Sequence, residues 1–157
     1  MTPEEKEGWL ERINYAFCDG VPHNRAIGLR VTDFADGECR CQLPYDEKLV
    51  GNPATGVLHG GVITALLDAA CGAAVFIKLQ SAMRIATLDL RIDYLKPATP
   101  GETVQAHATC YKITRHVAFT RAIAFHEDER DPIGTASGTF MIFDHGRSSL
   151  GEALRET

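Results

Sequence analysis

The stretch GVITALLDAACGAAVFI, from Gly61 to Ile77, contains one charged residue, Asp68. Its apolar residues cover every side of a helical wheel, and a helix of that kind must be enclosed by the rest of the protein. A membrane span is the competing interpretation, because the run approaches the length needed to cross a bilayer. A carboxylate in mid-run is costly in lipid, and Ala and Gly contribute little transfer energy. The sequence therefore predicts a buried central helix from about residue 59 to residue 78.

Alternation of apolar and polar residues indicates six strands around this helix. Two strands precede it between Gly28 and Tyr45, on either side of the turn signal Asp36-Gly37. Four strands follow it, at about 86–94, 104–110, 117–125 and 133–143. In the first of these four, alternation predicts one face made of Ala86, Leu88, Leu90, Ile92 and Tyr94 and the other of Thr87, Asp89, Arg91 and Asp93. Short connections between successive strands imply an antiparallel sheet.

Further signals concern the ends of the chain and the segment before the central helix. A helix is predicted from about Pro3 to Phe17, with Thr2 as its N-cap and acidic residues in its first turn. Residues 46–58 contain Gly and Pro without a period and predict a loop, and the polar tail from about residue 146 is expected to fray. A chain of 157 residues is expected to form one domain. The predicted class is α+β: a six-stranded antiparallel sheet wrapped around one long helix, with an extra N-terminal helix.

Composition restricts the partners and the compartment. A net charge of -5 and a pI near 5.6 leave no excess of cations for a nucleic-acid backbone. Residues 1–7 are polar and acidic, unlike a secretory signal, so a cytoplasmic location is expected. The five cysteines form an odd, scattered set and are interpreted as free thiols. Cys39 and Cys41 would share one face of a strand, and we interpret them as core residues because no second Cys or His pair follows to complete a metal site.

Two motifs carry a family resemblance. Leu58-His59-Gly60-Gly61 opens the central helix and is followed by Asp68, and TLDLRIDYLKPA runs from Thr87 to Ala98. On these motifs, over about residues 26–143, the chain resembles the hotdog superfamily and, within it, the PaaI-like thioesterases of the phenylacetic acid degradation type. The resemblance implies the hotdog fold and hydrolysis of acyl-CoA or aryl-CoA thioesters without a metal or organic cofactor. It also implies assembly as homodimers or as dimers of dimers, that is, homotetramers.

The same resemblance assigns roles to individual residues. His59 and Gly60 would flank the thioester carbonyl, and Asp68 would be the catalytic acid or base. Thr87 falls where related enzymes place a Ser or Thr that helps to orient water. The candidates for substrate binding are Asn52, Gly61, Lys96, Arg115 and His116. Of these, Lys96, Arg115 and His116 are candidates for the CoA phosphates, whereas family members often carry an Asn one residue later than Asn52, where this chain has Pro53.

The chemistry has a physical basis at the helix start. Unpaired N–H groups and the positive end of the helix dipole stabilise a carbonyl oxygen as it becomes an oxyanion. Gly60 and Gly61 would let a substrate approach the backbone closely, or they would only let the loop turn into the helix. Asp68 could take a proton from water or attack the acyl carbon, or it could pair at a subunit interface without catalysis. His59 could contact substrate or only hold the loop.

The spacing of the motif has a consequence for assembly. Nine residues along a helix separate His59 from Asp68 by roughly 13 Å, and nine steps of 100° put them on opposite faces. They cannot meet around one substrate within a single chain. If both are catalytic, the site combines the helix start of one subunit with Asp68 of another, which predicts a two-fold dimer.

Two other functions are compatible with parts of the pattern. A hotdog domain could bind an acyl-CoA without hydrolysing it, but such a module would not need Asp68. A hotdog enoyl-CoA hydratase would carry an Asp and a His a few residues apart in one loop, and no such pair lies near the central helix. The acyl group stays open, because aliphatic and aromatic thioesters would both suit an apolar helix face.

Overall fold

The computed structural model describes residues 2–80 and 83–147, with side chains up to residue 143. Helix α1 spans Pro3–Ile13 and continues as a π-helical segment, Asn14–Asp19. Helix α2 spans Pro22–Ile27, and the long helix α3 spans Gly60–Leu79. The strands are β1 (Arg30–Ala35), β2 (Glu38–Leu43), β3 (Val50–Asn52), β4 (Val57–Leu58), β5 (Met83–Tyr94), β6 (Val104–Ile113), β7 (Val117–Phe125) and β8 (Gly134–Arg147).

Six of these strands form one antiparallel sheet in the order β1-β2-β6-β7-β8-β5. The hairpin between β1 and β2 turns at Asp36-Gly37, where Gly37 adopts a positive φ of 72°. Helix α3 packs against the sheet, chiefly against β6, β2 and β7. The predicted architecture, six antiparallel strands around one long helix with an extra N-terminal helix, is confirmed.

Small side chains let the sheet approach α3 closely. The buried alanines of β6 and β7 are Ala106, Ala108, Ala118, Ala122 and Ala124. Against them α3 presents larger residues, of which Leu66, Leu67 and Val75 are fully buried. The helix is long and apolar enough to cross a membrane, but 61% of its most apolar window is buried inside the protein. Packing against the sheet therefore accounts for its composition.

The N-terminal helix begins as predicted and ends differently. The Thr2 side chain accepts a hydrogen bond from Glu5 N–H, and the Glu5 carboxylate accepts one from Thr2 N–H, which makes a capping box. The helical backbone continues two residues past Phe17 because its last part is π-helical. Pro22 then starts the short helix α2, in keeping with the preference of Pro for a first helical turn.

The prediction of a plain loop over residues 46–58 is wrong. A 3₁₀ turn at Glu47–Leu49 leads into β3, which pairs with β4 in a small second sheet. His59 N–H donates to Leu49 O at 2.9 Å and ties this sheet to the start of α3. A Cβ on Gly51 would lie 2.8 Å from His59 Cα, so the close approach requires glycine there. Such two- and three-residue strands are too short for a periodic signal.

The predicted faces of β5 are wrong over its first half. A β-bulge lies between Thr87 and Asp89, so Leu88 is an extra residue and the alternation shifts by one. Thr87 therefore shares the α3 side of the sheet with Tyr94, and both make hydrogen bonds to α3. Leu88, predicted on that side with Tyr94, is 54% exposed.

The thiols lie as predicted, whereas the last strand is longer than predicted. All five cysteines are free and buried, and Cys39 and Cys41 lie in the core of the sheet. Strand β8 continues past its predicted end at Phe143 to Arg147. The predicted tail from about residue 146 thus begins within β8, and its remainder, 148–157, lies outside the described residues.

Candidate active site

The start of α3 is organised by His59. This residue is extended (φ -61°, ψ 134°) and is the N-cap of the helix, its Nδ1 accepting a hydrogen bond from Gly61 N–H at 2.9 Å. Its carbonyl oxygen accepts from Val62 N–H at 2.9 Å. Two of the free donors of the helix start are thereby used by His59 itself. Among the described residues, none accepts a hydrogen bond from Gly60 N–H, which leaves this group for an external acceptor.

Tyr94, at the end of β5, packs on the same helix start. Its hydroxyl donates to Gly60 O at 2.9 Å and lies 2.5 Å from Thr64 Oγ1. A Cβ on Gly60 would meet the Tyr94 ring at 3.5 Å, which is ordinary van der Waals contact. The ring is 54% exposed. Tyr94 thus fixes the first turn of α3 against β5 without covering it.

Asp68 and Thr87 are brought together within one chain. The Thr87 hydroxyl donates to Asp68 Oδ1 at 2.9 Å. Asp68 is half-buried and Thr87 is exposed at the sheet edge. The contact leaves the second carboxylate oxygen, Oδ2, without a hydrogen bond from any described residue. An oriented carboxylate with one free oxygen can take a proton from water or attack a carbonyl carbon.

The two halves of the predicted motif lie along one side of α3. Gly60 contacts Tyr94 and Asp68 contacts Thr87, and both partners belong to β5. The prediction of opposite faces depends on a helical His59, whereas this residue is extended and precedes the first helical turn. The axial separation is unaffected, because eight residues from Gly60 to Asp68 correspond to about 12 Å. One thioester group cannot reach both within a single chain.

Asn52 lies in the small β3-β4 sheet in front of α3. Its side-chain oxygen accepts from Ala54 N–H at 3.1 Å, and its carbonyl accepts from Gly56 N–H at 2.9 Å. The residue is exposed. In this arrangement the Asn52 side chain holds the turn between β3 and β4, and within residues 2–80 and 83–143 no acceptor contacts its amide nitrogen.

The three cations proposed for the CoA phosphates lie at two ends of the sheet. Lys96 follows β5, near the start of α3, and is ion-paired with Asp131. Arg115 and His116 are exposed in the turn between β6 and β7. The His116 carbonyl accepts from Ile142 N–H at 2.8 Å, beside the opposite end of β5. The chain therefore does not bring Lys96 together with Arg115 and His116.

In the part of the chain that the structure describes, the cysteine thiol of α3 and the side chains of metal-binding type near it do not form a second reactive centre. Burial raises the pKa of Cys71 to about 12, with the Asp68 charge adding to the shift and a hydrogen bond with Thr120 opposing it. This thiol stays protonated and is a poor nucleophile. Across the described residues, no group of three or more His, Cys, Asp or Glu side chains could hold a metal ion. The carboxylate of Asp68 is therefore the reactive group that this side of α3 offers.

Thr64 and Tyr94 were missed as site residues by the sequence reasoning. Both lie within otherwise apolar periodic runs, where a hydroxyl carries no signal of its own. A helical spacing of four from Gly60 through Thr64 to Asp68 is the pattern that could have indicated a shared side.

Comparison with known proteins identifies the family of the chain. The model of the thioesterase superfamily matches residues 55–133. The medium/long-chain acyl-CoA thioesterase YigI of Escherichia coli K12 is 30% identical over 146 residues, covering 85% of this chain and 93% of that protein. A putative esterase of Halobacterium salinarum is 44% identical over 123 residues, covering 74% and 82%.

Solved structures show the same fold. A Pseudomonas aeruginosa protein superimposes with a TM-score of 0.76 at 40% identity, covering 84% of this chain and 97% of that one. The N33D mutant of the phenylacetic acid degradation protein PaaI of Thermus thermophilus gives a TM-score of 0.69 at 26% identity, covering 78% and 100%. The chain belongs to the thioesterase superfamily, as a PaaI-like hotdog enzyme that hydrolyses thioesters.

Proposed function

We propose that this protein hydrolyses acyl-CoA thioesters to a free acid and CoA, with Asp68 as the reacting carboxylate. The observation that carries the proposal is the half-buried Asp68, oriented by the Thr87 hydroxyl at 2.9 Å, in an otherwise apolar helix. Desolvation of a carboxylate in such a place costs stability, and a role in the reaction would explain why the chain carries one there. YigI, a relative over most of the chain, is named as acting on medium- and long-chain acyl-CoA, which supports the substrate class.

In the proposed mechanism, the thioester carbonyl oxygen accepts a hydrogen bond from Gly60 N–H at the positive end of α3. Asp68 takes a proton from a water molecule as the water oxygen attacks the carbonyl carbon. The tetrahedral intermediate collapses, the C–S bond breaks, and CoA leaves as a thiolate that is then protonated. A thiol of pKa about 8.5 needs no strong acid to leave. In the alternative route, Asp68 attacks the carbon, and water then hydrolyses the anhydride.

We propose a homodimer in which each site combines Gly60 of one protomer with Asp68 of the partner subunit. The first support is the axial distance of about 12 Å between these residues in one chain. The second is β5, which pairs with β8 on one side only within the described residues. A twelve-residue edge strand with an exposed Leu88 is a surface that proteins normally cover. Antiparallel pairing of two β5 strands would cover it and would bring the two helices together.

The same assembly would bring together the residues that are predicted to bind the CoA phosphates. Within one chain Lys96 lies at one end of the sheet, and Arg115 and His116 lie at the other. Antiparallel pairing of the β5 strands would bring Lys96 to the end that carries Arg115 and His116 of the partner subunit. We propose that these cations receive the CoA phosphates there, while Asn52 and the glycine backbone at Gly61 border the thioester end. A dimer of two such dimers is compatible with this arrangement.

We further propose a cytoplasmic location. All five thiols are free and buried, which is the pattern of a protein kept in a reducing compartment. The CoA thioesters that the site would take are intracellular metabolites, and the proposed reaction would use water as its co-substrate.

Release of the CoA thiol from short, medium, long and aromatic CoA esters tests the function. Asp68→Asn should reduce kcat by roughly a hundredfold or more, because it removes the base and keeps the shape. Thr87→Val should lower kcat by about tenfold or more, because it removes a hydrogen bond to the charged Asp68 carboxylate. Thr87→Ser keeps the hydroxyl and is the matched control. Binding of esters without thiol release would identify a binding module instead, and full activity in Asp68→Asn would exclude the proposed role of Asp68.

A further inference from the structure

We propose that Phe17, on the π-helical segment, closes the acyl end of the active site, the end near Gly72 that receives the acyl chain. Phe17 would thereby set the length of acyl chain that the enzyme accepts. The proposal rests on the acyl-CoA thioesterase function proposed above. It concerns the part of the substrate beyond the thioester, on the protomer that supplies Asp68.

The first observation is the position of Gly72. It lies four residues after Asp68, so it is on the same side of α3 and about 6 Å further along the helix axis. A Cβ placed on Gly72 would meet Phe140 at 3.7 Å, Phe17 at 3.9 Å and Ile85 at 4.0 Å. Three apolar side chains therefore converge on the one residue of this turn that has no side chain.

The second observation is that the side chains that cover the buried Gly72 are apolar and that two of them are partly exposed. Phe140 is 2% exposed and belongs to the core, whereas Phe17 and Ile85 are partly buried. Ile85 lies two residues before Thr87 on the α3 side of β5. A thioester held at Asp68 would therefore direct its acyl chain along an apolar surface toward the Phe17 ring.

The third observation is that the π-helical segment holds Phe17 in place. Gly20 N–H donates to Tyr15 O at 2.9 Å, five residues back, as a π-helix requires. The carbonyl of Phe17 accepts instead from the side-chain amide of Asn24 at 3.0 Å, and Asn24 is 7% exposed. One extra residue in the turn thus re-aims the Phe17 ring, and a buried side chain satisfies the freed carbonyl. Such π-helical turns are frequent at functional sites.

The test compares kcat/KM for CoA esters of increasing acyl length in two variants that change this end in opposite directions. Phe17→Ala should open it, raising the ratio of kcat/KM for long over medium chains by roughly tenfold or more, since one methylene in an apolar pocket is already worth about that factor. Gly72→Ala should shorten the space for the acyl chain. It should therefore lower the same ratio, mainly by raising KM for the long-chain esters. The added methyl makes ordinary contacts and favours the helix, so this variant is expected to fold.

Two substitutions serve as controls. Phe119→Ala truncates another half-buried phenylalanine, which packs against Tyr111, away from α3. Gly8→Ala adds a methyl in α1, where nothing lies within 4 Å of the new Cβ. Neither control should change the chain-length ratio.

The outcomes separate the two proposals. If the parent hydrolyses CoA esters and the ratio moves in opposite directions in the two variants, the inference stands. If the parent is active and the ratio is unchanged in Gly72→Ala, or moves equally in the controls, the inference is overturned and the proposed function is unaffected. If the parent hydrolyses no CoA ester, both fail.

Discussion

In the proposed mechanism, the backbone N–H of Gly60 serves where many enzymes use a side chain. The neighbouring donors at the start of α3 are already engaged by His59, and the Gly60 carbonyl is held by Tyr94 at 2.9 Å. The first turn of α3 is therefore fixed on both sides. A rigid, unoccupied donor at the positive end of a long helix is suited to a developing oxyanion, because no reorganisation is needed when charge appears.

Substitution of Gly60 by proline isolates this donor. Proline lacks the N–H but is well tolerated at the first helical position, and the extended His59 suits a residue before proline. Gly60→Pro should lower kcat by about a hundredfold or more with an unchanged thermal midpoint. Gly60→Ala keeps the N–H, makes only ordinary contacts with Tyr94, and should stay near the parent. Equal activity of the two variants would show that Gly60 N–H takes no part.

The residues of the site differ in how far the sequence reveals them. Asp68 stands out because a carboxylate in an apolar helix needs an explanation, and Thr87 is indicated by the family resemblance. Tyr94 carries no such signal. Its hydroxyl reaches Gly60 from a strand that is thirty-four residues away in sequence, and only the fold brings the two together.

Among the elements, α3 depends on its N-cap. We expect His59→Ala to lower the free energy of unfolding by about 1 kcal/mol, the usual cost of losing a cap, and to lower kcat because the first turn loosens. His59→Asn offers an oxygen to the same N–H group and should recover both stability and activity. Urea unfolding and thiol release on the same samples check this. Loss of activity with full stability in His59→Asn would mean that the imidazole acts on the substrate directly.

Strand β5 shows why the presence of a strand is easier to predict than the direction in which its side chains point. Its type and its end at Tyr94 follow from the alternation between residues 86 and 94, whereas its start at Met83 lies three residues before the predicted one. Its faces do not follow from that pattern, because one extra residue at Leu88 reverses the alternation and alternation alone cannot locate a bulge. The bulge is what aims Thr87 at Asp68. The π-helical segment poses the same problem on a helix, since neither composition nor periodicity reveals that Gly20 N–H donates to Tyr15 O, five residues back.

For the molecule as a whole, the buried thiols predict how stability depends on pH. Burial raises the pKa of Cys18 to about 11 and that of Cys71 to about 12, against 9.0 for an unperturbed thiol. The folded protein therefore holds protons that the unfolded chain releases above pH 9, so the free energy of unfolding should fall as the pH rises from about 9 toward 12. Below pH 9 these groups should have no effect.

Urea unfolding at stepped pH measures this decline. Removal of the thiol in Cys71→Ala should make the decline shallower, even though the variant starts from a lower stability because it lacks a core atom. Parallel curves for the parent and the variant would contradict the assignment.

In the proposed dimer, each substrate is bound by two chains. A hybrid dimer decides it most directly: Gly60→Pro and Asp68→Ala chains are co-expressed with different affinity tags, and the dimer that carries both tags is isolated. In a shared site, one of the two sites then receives an intact Gly60 and an intact Asp68, so the hybrid should have about half of the parent activity, although each variant alone is nearly inactive. An inactive hybrid dimer, or an active monomer on size-exclusion chromatography, would show that the active site is not shared between two chains.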